Sequence, residues 1–238
     1  MVPIMAAAMV MRMAEHVALA RMRLWQLLSP TLPIGAYSYS AGLETAVELG
    51  WVDSTDGVER WVSGLLLNSL ARVDVPLLAR LHQAWLHNDD GLLLEHAAWL
   101  RACRESAELA DEDQQIGRAL ATLLCNLGVA AAQPWTNRPT TAWAVLHALA
   151  LTHWDIPLRE GVEAYLWSWC DNQIAAAVKL VPLGQTDGQR LLLTLAGTVH
   201  DAAEHGLALG DTAIGASTPG LAIASCLHES QYSRLFRS

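Results

Sequence analysis

Charged side chains are scarce in this sequence. They make up 16% of its 238 residues, whereas ordinary soluble domains carry about 25%. The net charge is -9, and no cluster of lysine and arginine is present. Because nucleic acids and anionic membranes both favour basic patches, the composition argues against either class of partner.

Cysteine pairs and nucleotide-binding motifs are also missing. The four cysteines lie far apart without a Cys-x-x-Cys spacing, which argues against a thiolate zinc site and a dense disulfide framework. There is no Gly-x-Gly-x-x-Gly and no Walker loop, and the serines of residues 35–42 miss the Gly-x-Ser-x-Gly spacing. We therefore expect a cytoplasmic protein that is not an enzyme and carries no cofactor and no bound metal.

Apolar side chains are abundant instead. Residues of the set AVILMFWYC make up 53% of the chain, so there is too little charge to cover the surface. Soluble monomers seldom expose contiguous apolar patches beyond a few hundred Å². We predict that another chain, either an obligate partner or a second copy, covers part of this surface.

The hydrophobic pattern predicts an all-α fold. No segment alternates in the manner of a β-strand, whereas apolar residues recur at helical spacing between proline and glycine breaks. We expect a single-domain bundle of about eight to ten helices. At its centre we place the stretch of about 158–183, which is apolar at every angle around its axis and should be a buried helix.

The two ends of the chain are predicted to differ from this domain. Residues 1–22 begin with an apolar run whose basic residues follow it, which is the wrong order for a secretory signal. We interpret them as a disordered or over-long leader, residues 23–228 as the helical domain, and residues 229–238 as a tail that binds a partner.

The densest charge lies in the stretch 92–127, which predicts one long helix or two helices with a joint near Ser106. Arg104 and Glu108 are four residues apart there. Such a pair stabilises a solvated helix face by only about 0.2–0.5 kcal/mol. The ordinary interpretation is a solvent-exposed helix face.

Lys179 lies within the apolar central stretch and has two interpretations. A long lysine stem often reaches past apolar neighbours to place its ammonium in water and does nothing more. Alternatively, the helix reaches the surface at this turn and offers the ammonium to a partner.

The best metal candidate is the turn His200-Asp201-Ala202-Ala203-Glu204-His205. His200 and Glu204 lie one helical turn apart, as do Asp201 and His205, and ligands at this spacing can share a metal. The two histidines themselves are five residues apart and point about 140° away from each other. A solvated helix face is the ordinary interpretation, and a nickel carrier is the alternative.

The tail places aromatic and basic side chains where chains usually fray. It contains Tyr232, Leu235 and the only phenylalanine, Phe236, among Arg234 and Arg237. Tyrosine and arginine are enriched at interface centres. We expect the tail to have no packing site on its own chain and to become ordered on a partner.

Three stretches together resemble one family, the urease accessory protein UreF: LLSPTLPIGAYSYSAGLE at 27–44, AAVKLVPLGQTDGQRLL at 176–192 and HESQYSRLFRS at 228–238. RESAEL at 104–109, followed by Gly117, is a looser match. The resemblance extends from about residue 22 to the end, leaves the leader outside, and carries no motif in 119–156.

The resemblance implies an all-helical chaperone that dimerises and binds the accessory protein UreD, also called UreH. That pair would recruit the GTPase UreG and deliver nickel to apo-urease. In related proteins the tail becomes ordered on the UreD-type partner. The matching positions here are Gln231, Tyr232, Ser233, Arg234, Leu235, Phe236 and Arg237.

Our hypothesis from this resemblance assigns two surfaces. The tail and apolar helix faces bind the UreD-type partner, and a separate polar surface that includes Lys179 and Glu44 receives the GTPase. A rival hypothesis makes the chain a direct GTPase activator, with Arg234 or Arg104 as an arginine finger.

Overall fold

The computed structural model describes the backbone of residues 2–238 and the side chains of residues 15–238. Within this part of the chain every regular element is helical, which confirms the predicted all-α class. The α-helices are α1 (Val2–Leu27), α2 (Leu43–Glu48), α3 (Thr55–Leu65), α4 (Asp74–His87), α5 (Asp90–Ala102), α6 (Ala107–Asn126), α7 (Trp143–His153), α8 (Leu158–Leu180), α9 (Gln185–Leu207) and α10 (Pro219–His228).

Short polar side chains start several of these helices. Ser54 accepts a hydrogen bond from the backbone N–H of Gly57 at the start of α3. At the start of α6, Ser106 accepts one from Leu109. Each cap satisfies a donor that the first helical turn leaves free. The stretch 92–127 is therefore two helices, and Ser106 lies at the joint.

The core forms around α7 and α8. The residues of α7 from Trp143 to Leu151 are all buried. Helix α8 packs against α1, α2, α3, α4, α7 and α9. This arrangement confirms the predicted central helix, although α7 is more completely enclosed than α8.

Two glycines let helices approach closely. A Cβ atom added at Gly117 in α6 would lie 2.6 Å from the carbonyl carbon of Ala142, just before α7. One added at Gly206 in α9 would lie 2.6 Å from the carbonyl oxygen of Ala71. These contacts leave no room for a side chain, so both positions require glycine.

Among the described side chains of α1, residues 15–27, few hold the helix to the body. Ala20, Leu24 and Leu27 are buried, whereas Met22 and Trp25 are more than half exposed. The predicted boundary after residue 22 therefore falls inside a continuous helix. The interpretation of residues 1–22 as a leader stays a prediction.

No single helix in the described part of the chain is long and apolar enough to cross a membrane. One bent pair, Thr55–Leu70 with Asp74–His87, meets the length and composition criteria together.

Candidate functional site

The C-terminal tail, residues 229–238, lies on its own chain in a seat formed by the start of α2, the first half of α6 and the end of α10. The prediction that the tail has no internal packing site is therefore wrong. Phe236 is only 6% exposed and joins the hydrophobic core. Its apolar ring anchors the tail. The sequence alone indicated this residue only as part of a composition typical of interfaces.

The seat depends on an unusual turn before α2. Ala41 and Gly42 both have positive φ values, 50° and 78°, which only glycine adopts without strain. A Cβ atom added at Gly42 would lie 3.2 Å from Leu221 Cδ1 and 3.4 Å from the backbone nitrogen of Ser225. The turn thus brings α2 directly against α10.

Glu44 in the first turn of α2 holds the tail backbone. Its Oε1 atom accepts a hydrogen bond of 2.6 Å from the N–H of Leu235, and Oε2 accepts one of 2.9 Å from the N–H of Phe236. Two consecutive N–H groups that converge on one carboxylate form an anion-binding turn. Hydrogen bonds to an ionised acceptor are about twice as strong as neutral ones.

His228, the last residue of α10, lies between two carboxylates beneath the tail and is fully buried. Its Nδ1 atom is 2.7 Å from Glu108, and its Nε2 atom is 3.3 Å from Glu44. Each ring nitrogen therefore faces a carboxylate oxygen, and the two carboxylates together hold the imidazole in one orientation.

Side chains of the tail add three further contacts. Arg234 Nη1 donates to Glu108 at 2.9 Å, and the Thr45 hydroxyl donates to Gln231 at 2.9 Å. The ammonium of Lys179 lies 5.3 Å from the centre of the Phe236 ring, within cation–π range. The predicted residues Lys179 and Glu44 therefore meet the tail at one place.

Lys179 and Glu44 differ in their exposure to solvent. Lys179 is exposed, which agrees with both of its interpretations. Glu44 is 7% exposed and covered by the tail, so it is not part of an open polar surface in this conformation. Its predicted contact with a GTPase stays a prediction.

The last residue of the chain is buried against α6. The Ser40 N–H donates to the backbone oxygen of Ser238 at 2.9 Å, and the Ser238 hydroxyl donates to Glu112. Burial raises the pKa of Glu112 to about 7, although the Ser238 hydroxyl opposes this shift. Asp113 and Glu108 add to the increase, and Arg104 counters it.

The docked tail and α10 each leave apolar side chains exposed. Tyr232 is fully exposed, Leu235 is 62% exposed, and Ile223 and Leu227 of α10 are about half exposed. Ile223 and Leu227 are four residues apart and therefore share one face of α10. We call these four side chains the apolar strip.

Asp74 of α4, Arg104, Asp113 of α6 and Tyr165 of α8 form a buried cluster. Arg104 donates to both oxygens of Asp74, at 2.7 and 3.1 Å, and to Asp113 at 2.7 and 2.9 Å. The Tyr165 hydroxyl donates to Asp74 at 3.0 Å. A cavity of about 90 Å³ adjoins the cluster.

Opposing effects set the charges in the buried cluster. Burial lowers the pKa of Arg104, but Asp113 and Asp74 outweigh it and raise that pKa well above its usual value. Burial, followed by the same two carboxylates, raises the pKa of Tyr165 well above its usual value. The cluster therefore holds a charged guanidinium and a neutral phenol at neutral pH.

The predicted pairing of Arg104 with Glu108 along one solvated helix face is wrong. The helix breaks after Ala102, and Arg104 turns inward to α4 and α6. Its Nε, Nη1 and Nη2 atoms all donate to the two aspartates, so the arginine-finger hypothesis requires that these bonds break. Sequence spacing did not reveal this partner set, because Asp74 is 30 residues away.

The other arginine of that hypothesis, Arg234, also has partners. Besides Glu108 it donates to the backbone oxygens of Gln231 and Glu229, at 3.2 and 2.8 Å. Its side chain is 36% exposed. Its role as a finger stays a prediction.

The histidine turn of α9 contacts the first turns of α8, whereas the tail contacts Lys179 in its last turn. His200 Nδ1 is 3.1 Å from Glu163 of α8, and Arg159 is 2.7 Å from Glu204. We call these four side chains the surface cluster. Among the described residues, no three histidine, cysteine or acidic side chains are arranged to hold a metal ion together. The nickel-carrier hypothesis thus has two candidate ligands in contact, His200 and Glu163.

Comparison with known proteins identifies the family. The UreF family model matches residues 52–196. Urease accessory protein UreF of Alkalilimnicola ehrlichii is 58% identical over 221 residues, which cover 92% of this chain and 96% of that protein. The proteins of the same name from Hahella chejuensis and Alcanivorax borkumensis are 44% and 45% identical, over 92% and 91% of this chain and 99% and 97% of their own lengths. The chain therefore belongs to the UreF family of urease accessory proteins.

Proposed function

We propose that this protein is a cytoplasmic chaperone of urease maturation that acts as an adaptor without enzymatic activity. It binds a UreD/UreH-type accessory protein and recruits the GTPase UreG, and the assembly inserts nickel into apo-urease in a GTP-dependent step. The observation that carries the proposal is the apolar strip, which consists of two exposed side chains of the docked tail and two of α10.

The apolar strip has the composition of a protein interface. Aromatic residues are enriched at interface centres, and a few buried anchors supply most of the binding energy. The tail adds little mobility to this surface, because Phe236, Glu44 and Arg234 fix it on the body. A fixed surface loses less conformational entropy on binding than a free tail does.

The substitution pair Tyr232→Ala and Leu235→Ala tests this surface. Both side chains point away from the body, so folding should be unaffected, while affinity for the UreD-type partner should fall at least tenfold. Biolayer interferometry with the purified partner measures the loss. The matched control is Leu193→Ala, which removes an 80% exposed leucine of α9. Unchanged affinity in the tail variant, or an equal loss in the control, would refute the assignment.

Lys179, the only lysine of the chain, is the candidate contact for the GTPase. We expect Lys179→Glu to weaken recruitment of UreG to the preformed complex at least fivefold and to change affinity for the UreD-type partner less than twofold. Lys179→Arg should retain recruitment, because it keeps the charge. If Lys179→Glu weakens both interactions in parallel, Lys179 acts through Phe236 and the tail instead.

Self-association is the remaining part of the proposal. The low charge content and the exposed side chains of Met22 and Trp25 on α1 support a homodimer within the larger complex. Light scattering of the isolated protein at rising concentration measures this directly. A monodisperse monomer at high concentration would contradict the dimer.

A further inference from the structure

Glu44 is a buried carboxylate whose partners come from the tail and from α10. Two are the backbone N–H groups of Leu235 and Phe236, and the third is the ring of His228. A buried carboxylate is costly unless it is paired and hydrogen-bonded. The docked tail supplies two of the three donors, so docking and the burial of Glu44 depend on each other.

The hydrogen bonds from two consecutive amides hold the backbone of the tail at one place. Because both N–H groups face one carboxylate, the backbone bends at Leu235 and Phe236 and does not continue as an extended strand. At this bend the Phe236 ring lies in the core, where it is 6% exposed, and Leu235 is 62% exposed. Removing the shared acceptor frees both amides and so loosens the backbone that carries these two side chains.

From this geometry we infer that Glu44 is a positioning residue for partner binding: it fixes the tail so that the apolar strip is presented in one arrangement, without itself touching the partner. The inference rests on the proposed function of the strip. It assigns to Glu44 a role different from the direct GTPase contact that the sequence suggested.

The chain offers a matched pair of variants for the test. Glu44→Gln keeps the length of the side chain but replaces one acceptor oxygen by an NH₂ group, which cannot accept from an amide. Glu48→Gln makes the same change one turn later on α2, at an exposed position. Glu44→Asp is the second variant at the site; it keeps the charge but is too short to hold both amides.

The first measurement is amide hydrogen exchange in the isolated full-length protein. We expect Glu44→Gln to accelerate exchange at Leu235 and Phe236 at least tenfold, with Glu44→Asp intermediate and Glu48→Gln unchanged. Amides of the buried helix α7 serve as the folding control and should keep their protection. Unchanged exchange at Leu235 and Phe236 in both Glu44 variants, with α7 protected, would overturn the inference.

The second measurement is a double-mutant cycle on affinity for the UreD-type partner. Glu44→Gln should weaken binding at least fivefold in the natural background, but less than twofold when Tyr232 and Leu235 are already alanine. An equal loss in both backgrounds would mean that Glu44 contacts the partner directly, and the inference would fail.

The two proposals fail in different ways. If alanine at Tyr232 and Leu235 leaves affinity unchanged, the proposed role of the strip fails. In that case a loss of binding in Glu44→Gln also contradicts the positioning role, because no strip contact remains for Glu44 to act through. If instead the alanine variant loses affinity and Glu44→Gln does not, the strip remains and only the positioning role is lost.

Discussion

The buried cluster and the surface cluster are both built from one arginine and two carboxylates, yet their environments differ. In the buried cluster the side chains of Arg104 and Asp74 are 16% and 4% exposed. In the surface cluster those of Arg159 and Glu204 are 51% and 48% exposed. Because water screens exposed pairs, similar distances have different energetic consequences in the two places.

The first prediction concerns the buried cluster and has the largest expected effect. Arg104→Ala leaves Asp74 and Asp113 as neighbouring carboxylates without their common partner. Removing one member of a buried ion pair typically costs about 3–5 kcal/mol. Urea unfolding followed by circular dichroism measures the loss.

The outcome of this substitution shows whether burial makes the ion pairs of Arg104 contribute more to stability than exposed pairs do. A loss below about 1 kcal/mol would place Arg104 in the same energetic class as Arg159 and contradict the comparison. Arg104→Lys should recover only part of the loss, because an ammonium cannot reproduce the planar fork that bonds both aspartates.

The second prediction uses Glu112, whose pKa is raised to about 7 from 4.5. A carboxyl with a raised pKa in the folded state disfavours folding once it ionises. The wild-type protein should therefore lose stability relative to Glu112→Gln as the pH rises from about 4.5 through 7. The difference should approach about 3 kcal/mol at most and remain constant above pH 8.

Stability curves of both proteins between pH 5 and 8 measure this difference. Subtracting them removes the contribution of His147, whose pKa burial lowers to about 4, although a backbone bond to Gly161 opposes the shift. A difference that stays constant across the range would contradict the raised pKa.

The third prediction has the smallest expected effect. Arg159→Ala should cost less than about 1 kcal/mol, because the pair with Glu204 is half exposed. The loss should shrink further in 0.5 M salt, which screens exposed charges. The same urea titration, at low and high salt, measures it. A loss of 3 kcal/mol would remove the distinction between the two clusters.

The fold was largely predictable because local signals agree with the packing. The proline at 157 and the break at 182–184 bracket α8, and its apolar residues at every angle predicted burial. The sequence predicted one long helix or two with a joint near Ser106, and Ser106 is the cap of α6. These features depend on neighbours within a few residues, which sequence spacing reports directly.

The candidate site was only partly predictable for the opposite reason. Composition and pattern indicated the tail and Lys179, and the hypothesis that followed from the resemblance added Glu44, but neither indicated that these groups meet. Glu44 and Leu235 are 191 positions apart, and no periodicity links them. The buried face of the tail could be identified only from the fold, because it forms where α2 and α10 lie together.

The break between α5 and α6 also decides where two adjacent side chains go. Arg104 turns inward to Asp74 and Asp113, whereas Glu105 accepts hydrogen bonds from Ser217 and Thr218 at the start of α10. Arg104 therefore binds the interior, and the next residue, Glu105, binds the helix that leads into the tail. An insertion or deletion of one residue at this point would misalign both attachments at once, so we expect the length of this short connection to be fixed.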